Sequence, residues 1–288
     1  MLAVISCHFN PCGFSRPRQN LHRFRQEMAG VPIYFVELSF DGTFELPPDP
    51  NVLQIKGNRS NLLWQKERLI NIASKQLPSE ITAIAWIDAD ISFGNPLWYT
   101  DTISELSKTP VVQLFEQAYW LSKTGRITHQ LDSVAAVQRY GKGENKPYPH
   151  PGFAWAMRRE LFDDIGGLFD SDIIGSGDAW MAHAFFAHPY ACMIGDVPET
   201  LHREYFRWKS AIREHVPFIG CVPGGVFHHF HGTREDRQYL SRKQIYSQHK
   251  VDLDQEVLID RNGLWTIRDP QSAFAQSVNQ YFKNRKED

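Results

Sequence analysis

The sequence is poor in most of the features that mark a specialised class of protein. It has only four cysteines, Cys7, Cys12, Cys192 and Cys221, and no second close pair to complete a metal site with Cys7 and Cys12. Free buried thiols in a reducing compartment are expected. A basic leader and a long apolar run are both missing, so Met-Leu-Ala-Val-Ile-Ser-Cys at the start reads as a first strand, not a signal peptide. No stretch approaches the roughly 18 to 20 apolar residues of a membrane span, and a cytoplasmic protein is expected. Neither charge dominates: 31 Lys and Arg face 33 Asp and Glu, a net charge of −2. A dedicated nucleic-acid binder that works by bulk electrostatics is therefore disfavoured. Repeats and low-complexity blocks are also absent. What the chain does have is core material, with 42% hydrophobic and 13% aromatic residues, and disorder is excluded.

Short apolar runs alternate with amphipathic stretches. Leu2–Cys7, Ile33–Leu38, Val52–Lys56, Ile81–Ile87 and Val111–Leu114 read as strands. Helices are expected over Gln19–Ala29, from Leu62 to Gln76 with a stop before Pro78, and over Leu97–Lys108. This rhythm predicts an α/β fold with a mostly parallel twisted sheet flanked by helices. The second half is less regular. Gln117–Pro149 reads as a long polar insert, Phe153–Met157 as a strand and Arg159–Ile165 as a helix. Thr200–Val216 and Glu235–Gln248 read as helices, with Val226–His229 a strand between them. A strand at Glu256–Asp260, an Asn262-Gly263 turn and a helix over Gln271–Lys283 follow, and 251–288 is expected to be an appendage.

Four clusters can carry chemistry. Ala83 to Phe93 is an apolar strand that runs into Asp88 and Asp90. Ligands of open α/β sheets sit beyond the carboxyl ends of the strands, and residues i and i+2 of an extended chain share a face. Two carboxylates so placed suit Mn2+ or Mg2+ bound together with substrate phosphates; a capping or turn aspartate is the plain alternative. Gly175-Ser176-Gly177-Asp178 precedes an amphipathic stretch, where Asp178 is either an N-cap or a general base for an attacking hydroxyl. Trp155 and Trp180 offer flat faces for sugar rings, or simply core. In Val226 to Arg242, His229 and His231 share a face if the strand stays extended, with His228 opposite. Imidazole suits Mn2+-like ions, so His231 can complete a site begun by the two aspartates. Arg234, Arg237 and Arg242 suit a diphosphate, or else form a solvated basic face. Lys66 and Arg68 lie near the sheet's carboxyl edge and can hold a phosphate, while Glu37, ending the second strand, can accept from a ribose or base.

In order, the strand ending in Glu37, Gln65-Lys66-Glu67-Arg68-Leu69-Ile70-Asn71, Trp86-Ile87-Asp88-Ala89-Asp90, His150-Pro151-Gly152-Phe153-Ala154-Trp155-Ala156, Gly175-Ser176-Gly177-Asp178 and His229-Phe230-His231-Gly232 resemble one family. The chain is similar over about residues 1–245 to GT-A-fold (Rossmann-like), metal-dependent nucleotide-sugar glycosyltransferases, nearest in layout to the galactosyltransferase-like and N-acetylgalactosaminyltransferase-like enzymes. The resemblance implies one catalytic domain over 1–250, with a nucleotide-binding half at 1–115 and an acceptor-binding half at 116–250. It implies Mn2+ (or Mg2+) on Asp90 and His231, with Asp88 and His229 as further candidate ligands and Asp88 alternatively on the ribose. It also implies a nucleotide-diphosphate sugar as donor, held by Glu37, Lys66, Asp88, Arg234, Arg237 and Arg242. Asp178 would be the base of an inverting transfer, and Gly152, Phe153, Trp155 and Trp180 would face the acceptor. Ala179 departs from the family pattern, where a second acid follows the first. Family members often carry a membrane anchor; with none apparent here, a bacterial or bacteriophage cytosolic enzyme is expected.

The donor is expected to be UDP-linked, and the acceptor a glycan, a lipid-linked sugar, a protein or a hydroxylated base in DNA. One rival is a nucleotidyltransferase, which shares the metal and paired acids but normally has a glycine-rich basic loop after the first strand. Here Cys7-His8-Phe9-Asn10-Pro11-Cys12-Gly13 has one glycine and no lysine. A second rival is a non-catalytic sugar-binding module built on Trp98, Tyr119, Trp120 and Trp155.

Overall fold

Leu2–Phe9 (β1) and Ala83–Ile87 (β4) are buried along nearly their whole length because both sheet faces are covered. Their alternate side chains feed two separate cores. Ala3, Ile5, Ile84 and Trp86 pack with Leu69, Ile70 and Ala73 of the helix Lys66–Ser74. Leu2, Val4, Ala85 and Ile87 pack on the opposite face with Leu21 and Phe24 of Ser15–Glu27, and with Trp98 and Leu106 of Trp98–Lys108. A period of two residues on each strand thus places helices on both faces of one sheet.

The computed structural model describes residues 1–140, 149–186, 196–212, 216, 218–233, 235–239 and 241–288. Its strands are β1, β2 (Ile33–Ser39), β3 (Val52–Lys56), β4, β5 (Ile91–Phe93), β6 (Val111–Gln113), β7 (Gln117–Leu121), β8 (Ile127–Asp132), β9 (Ala154–Arg158), β10 (Gly220–Cys221), β11 (Gly225–His228), β12 (Val257–Ile259) and β13 (Trp265–Ile267). The helices are α1 (Ser15–Glu27), α2 (Lys66–Ser74), α3 (Trp98–Lys108), α4 (Val134–Tyr140), α5 (Arg159–Asp164), α6 (Gly177–Phe185), α7 (Glu199–Ile212), α8 (Gln244–His249), α9 (Leu253–Glu256) and α10 (Ala273–Asn284). The main sheet runs β10-β6-β9-β4-β1-β2-β3 and is parallel except for β9, which is antiparallel to β4 and β6. The expected mostly parallel sheet with helices on both faces is therefore present. No described helix is long and apolar enough to cross a membrane.

A second sheet, β5-β11-β7-β8, lies beyond the carboxyl end of β4. It corrects the expectation of a polar insert over Gln117–Pro149: β7 and β8 form a hairpin and α4 follows, while 141–148 lie outside the described residues. Within this sheet β5 and β11 run antiparallel, with Ile91 opposite His228. That pairing brings the segment after Asp90 against a strand from the far end of the chain.

One further expectation is corrected. The expected helix over Glu235–Gln248 is helical only from Gln244, because Gln238 adopts a left-handed backbone (φ 51°) that interrupts the turn before it. Beyond residue 250, Val251, Leu264, Phe274, Val278 and Phe282 share one buried cluster with Ala3 and Ile5. Asn61 and Gln65 hold β13 through the Trp265 carbonyl, at 3.2 and 2.7 Å. Cys7, Cys12 and Cys221 are free thiols, and Cys192 lies outside the described residues.

Candidate functional site

The carboxyl ends of β1 and β4 open into a cleft of about 1070 Å³. The loops after those strands, the start of α6, the loop after β11 and residues following α10 line it together. This is the position at which a parallel α/β sheet binds ligands.

At its centre Asp90 meets two imidazoles. Asp90 Oδ2 lies 2.7 Å from His231 Nε2 and 3.6 Å from His228 Nε2, and one donor atom from each of the three residues falls within 4.8 Å of the others. The two Nε2 atoms are 3.1 Å apart. The Arg237 guanidinium reaches both, with Nη1 at 3.0 Å from His228 and 2.9 Å from His231. A guanidinium can only donate and a carboxylate can only accept, so His231 Nε2 faces a donor in Arg237 and an acceptor in Asp90. Burial works to raise Asp90, but the two imidazoles override it and hold the carboxyl well below its ordinary range. Burial also pushes His228 down to about 4, against the attraction of Asp90. A carboxylate and two imidazoles facing one another at these distances favour a positive charge among them, and the Arg237 guanidinium takes that place here. Among the described residues Asp90 Oδ1 is buried with no hydrogen-bond partner. The donor set fits a first-row divalent cation, and its two nitrogens suit Mg2+ less well.

His229 is not part of this group. Its Nε2 lies 2.6 Å from Ser92 Oγ, while its backbone N–H donates to the Asp90 carbonyl at 2.8 Å. The expected shared face of His229 and His231 fails because β11 ends at His228 and the chain turns toward Gly232 (φ 92°), so alternation stops one residue too early. His228 stands beside His231 instead.

Asp88 points the other way and pairs with Lys66 Nζ at 2.5 Å. Burial lifts Asp88 to about 6, with Lys66 opposing the shift and Asp90 adding to it. Lys66 is raised: desolvation opposes this, but Asp88, Asp178 and Glu67 outweigh it. Neighbouring Glu67 is buried, which pushes its carboxyl up to about 8 despite Lys66. Glu67 packs against Gly177 so closely that a Cβ there would collide with its carboxyl group. Asp178, in the first turn of α6, lines the same cleft, and its Oδ1 accepts from the Ala179 N–H at 3.0 Å. Gly152 lies directly beneath it: a Cβ at residue 152 would collide with Asp178 Oδ2. Phe153 (φ 75°) lines the cleft and stacks on His228 at 5.0 Å.

The basic side of the cleft is better anchored than a solvated face. Arg242 Nη2 donates to Ser176 Oγ at 2.6 Å and Nη1 to Tyr281 Oη at 3.3 Å. Arg285 Nη1 donates to the same Tyr281 Oη at 2.8 Å. Both guanidiniums lie over the Trp64 ring, at 5.8 and 5.2 Å from its centroid. Lys243 binds Asp172 and the Gly175 carbonyl, and Asp172 also accepts from Trp180 Nε1 at 2.7 Å and Tyr246 Oη at 2.9 Å. Arg234 lies outside the described residues.

Three expected site residues are elsewhere. Glu37 is 2% exposed, and its two oxygens accept from the Glu45 and Leu46 N–H groups at 2.6 and 3.1 Å, so it fixes a loop and does not line the cleft. Trp155 and Trp180 are buried in the core: Trp155 donates to the Pro151 carbonyl and Trp180 to Asp172. Large apolar faces on a central strand and on the inner face of α6 go to the core first. Trp64, Glu67, His150, Arg285 and Glu287 line the cleft, and His228 stands beside Asp90, without having been singled out as site residues; Trp120, named for a sugar-binding module, lines it too. His228 was detectable in principle as the buried last residue of its strand; Arg285 and Glu287 had no local signal.

No known family matches the sequence, and no curated protein matches it either. Solved structures do. Mannosyl-3-phosphoglycerate synthase from Rubrobacter xylanophilus is 11% identical with a TM-score of 0.42, over 93% of this chain and 85% of that one. A mutant of Drosophila beta1,4-galactosyltransferase 7, solved with manganese, UDP-Gal and xylobiose, is 13% identical with a TM-score of 0.37, over 77% of this chain and 64% of that one. A 4-diphosphocytidyl-2C-methyl-D-erythritol synthase from Anaerococcus prevotii is 9% identical with a TM-score of 0.38, over 77% and 86%. Likenesses at this level assign no chemistry, and they include both a sugar transferase and a nucleotidyltransferase.

Proposed function

We propose that this protein is a metal-dependent glycosyltransferase that moves a hexose from a nucleotide-diphosphate sugar, UDP-linked in the first instance, to an acceptor hydroxyl with inversion. The observation that carries this is the convergence of Asp90, His228 and His231, within 4.8 Å, on the same cleft as Asp178 and a wall of guanidiniums.

Asp90, His228 and His231 would hold the cation, with Asp88 at the edge of the site. A divalent ion there supplies electrostatic stabilisation for a departing diphosphate. The chain's own groups supply the rest. Arg237, Arg242 and Arg285 bind and orient the donor's phosphates, Arg242 and Arg285 being held in place by Ser176 and Tyr281. Lys66, fixed on Asp88, keeps a positive charge beside the strand ends. Asp178 takes the proton from the acceptor hydroxyl. Phe153 and Trp120 give the acceptor side an apolar surface on which a ring can stack.

A thermal-shift screen of nucleotide sugars with and without Mn2+ tests the proposal. Stabilisation by one UDP- or GDP-sugar, only with the metal, is expected, followed by release of a nucleoside diphosphate on turnover. Release of pyrophosphate from a nucleoside triphosphate would replace this function with nucleotidyl transfer.

A further inference from the structure

We propose that Glu287 is the positioning residue that sets the tautomer and orientation of His231; the inference rests on the metal site proposed above. His231 presents Nε2 to Asp90 and Arg237. An imidazole that ligates a cation through Nε2 carries its proton on Nδ1, and a buried N–H needs an acceptor. The carboxylate that faces this atom is Glu287, with Oε1 at 3.5 Å from His231 Nδ1. Among the described residues His231 Nδ1 is buried with no hydrogen-bond partner.

Glu287 is built into place. Arg285 clamps its carboxylate through Nε at 2.8 Å and through Nη2. On one side the backbone of 285–286 packs against Gly232, the residue after His231, where a Cβ would meet the Arg285 and Lys286 carbonyl oxygens at 3.1 Å each. On the other side Asp288 accepts from the Ser15 and Arg16 N–H groups at the start of α1, at 2.6 and 3.0 Å. The segment after α10 is thus pinned on both sides of Glu287, and its one carboxylate turned toward the site meets the back of a candidate metal ligand. Metal-binding histidines generally donate their other ring N–H to such a partner.

The test is a Mn2+ titration of the full chain, read by the electron paramagnetic resonance signal of the free ion, together with the 15N resonances of the His231 ring. Glu287→Ala is expected to weaken Mn2+ binding about 10- to 100-fold and to shift His231 away from the Nδ1–H tautomer. Glu287→Gln, whose amide oxygen still accepts, is expected to stay within about threefold of wild type and to keep the tautomer. Wild-type affinity and an unchanged tautomer in Glu287→Ala overturn the assignment alone. Equal losses in Glu287→Gln and Glu287→Ala also overturn it, since charge and not hydrogen-bond acceptance would then be what matters. A wild-type chain that takes no Mn2+ removes the metal site itself, and this assignment with it.

Discussion

Asp90 Oδ2 lies 2.7 Å from His231 Nε2, a contact between the loop after β4 and the loop after β11. Antiparallel pairing of β5 with β11, and the hydrogen bond from the His229 N–H to the Asp90 carbonyl, hold the two loops together. Asp90→Ala removes the only carboxylate of the three-donor group. Turnover should fall by about 100-fold or more, because a bound cation stabilises charge by several kcal/mol. Initial rates measured against Mn2+ concentration decide the point; an undiminished rate would remove Asp90 from the site.

The two adjacent histidines should behave differently. His228→Ala is expected to abolish Mn2+-induced stabilisation, while His229→Ala, which loses only its contact with Ser92, should leave it within about twofold. Melting curves of both variants with and without the ion are sufficient. The reverse ranking would restore His229 as the ligand.

Asp178→Asn should slow turnover by roughly 10²- to 10⁴-fold with donor affinity nearly unchanged, the signature of a lost general base. Gly152→Ala should reproduce much of this loss, since the added methyl group collides with the Asp178 carboxylate. Steady-state kcat and donor KM for both variants test the pair. Full activity in Asp178→Asn would point to a retaining reaction with no base at this position.

Glu67 gives a pH signature that does not depend on the metal. Its carboxyl is raised by burial from 4.5 to about 8. Between those two values the folded chain keeps a proton that the unfolded chain has released, so stability declines as pH rises through the window and levels off above it. One such group contributes a slope of at most about 1.4 kcal/mol per pH unit. Melting temperatures from pH 5 to 9 should show Glu67→Gln gaining on wild type as pH increases. Parallel curves would show that Glu67 does not hold that proton.

Asp172→Ala should be among the most destabilising single changes. It would strand Lys243, Trp180 Nε1 and Tyr246 Oη in the interior, where removing one member of a buried pair costs about 3–5 kcal/mol. Urea titration of the variant measures the loss. A change below about 1 kcal/mol would mean that water replaces the carboxylate.

The parallel strands were legible because their signals are local. β1 and β4 are apolar runs long enough to be covered on both faces, and Asp88 and Asp90 follow the second directly. The place of Asp178 in the first turn of α6 was legible too, from the Gly-Ser-Gly turn before it. Errors arose where a local rule stops at an element's end. Alternation named His229 where the chain had already turned, which leaves His228 beside His231. Residue type suggested sugar-stacking roles for Trp155 and Trp180, which hydrophobic burial takes into the core. The helix pattern of 235–248 is interrupted at Gln238, where the chain folds back and the flanking cationic side chains anchor to the cleft.

By itself the sequence determined an α/β sheet, the strand that carries the aspartates and the kinds of side chain available for chemistry, because periodicity and burial act over a few residues. Only the tertiary structure decided which histidine meets Asp90, that Arg285 and Glu287 of the last segment close the site, and that Glu37 does not line it. Those outcomes depend on strand pairings and packing between segments far apart in the chain, where no spacing rule relates one residue to the other.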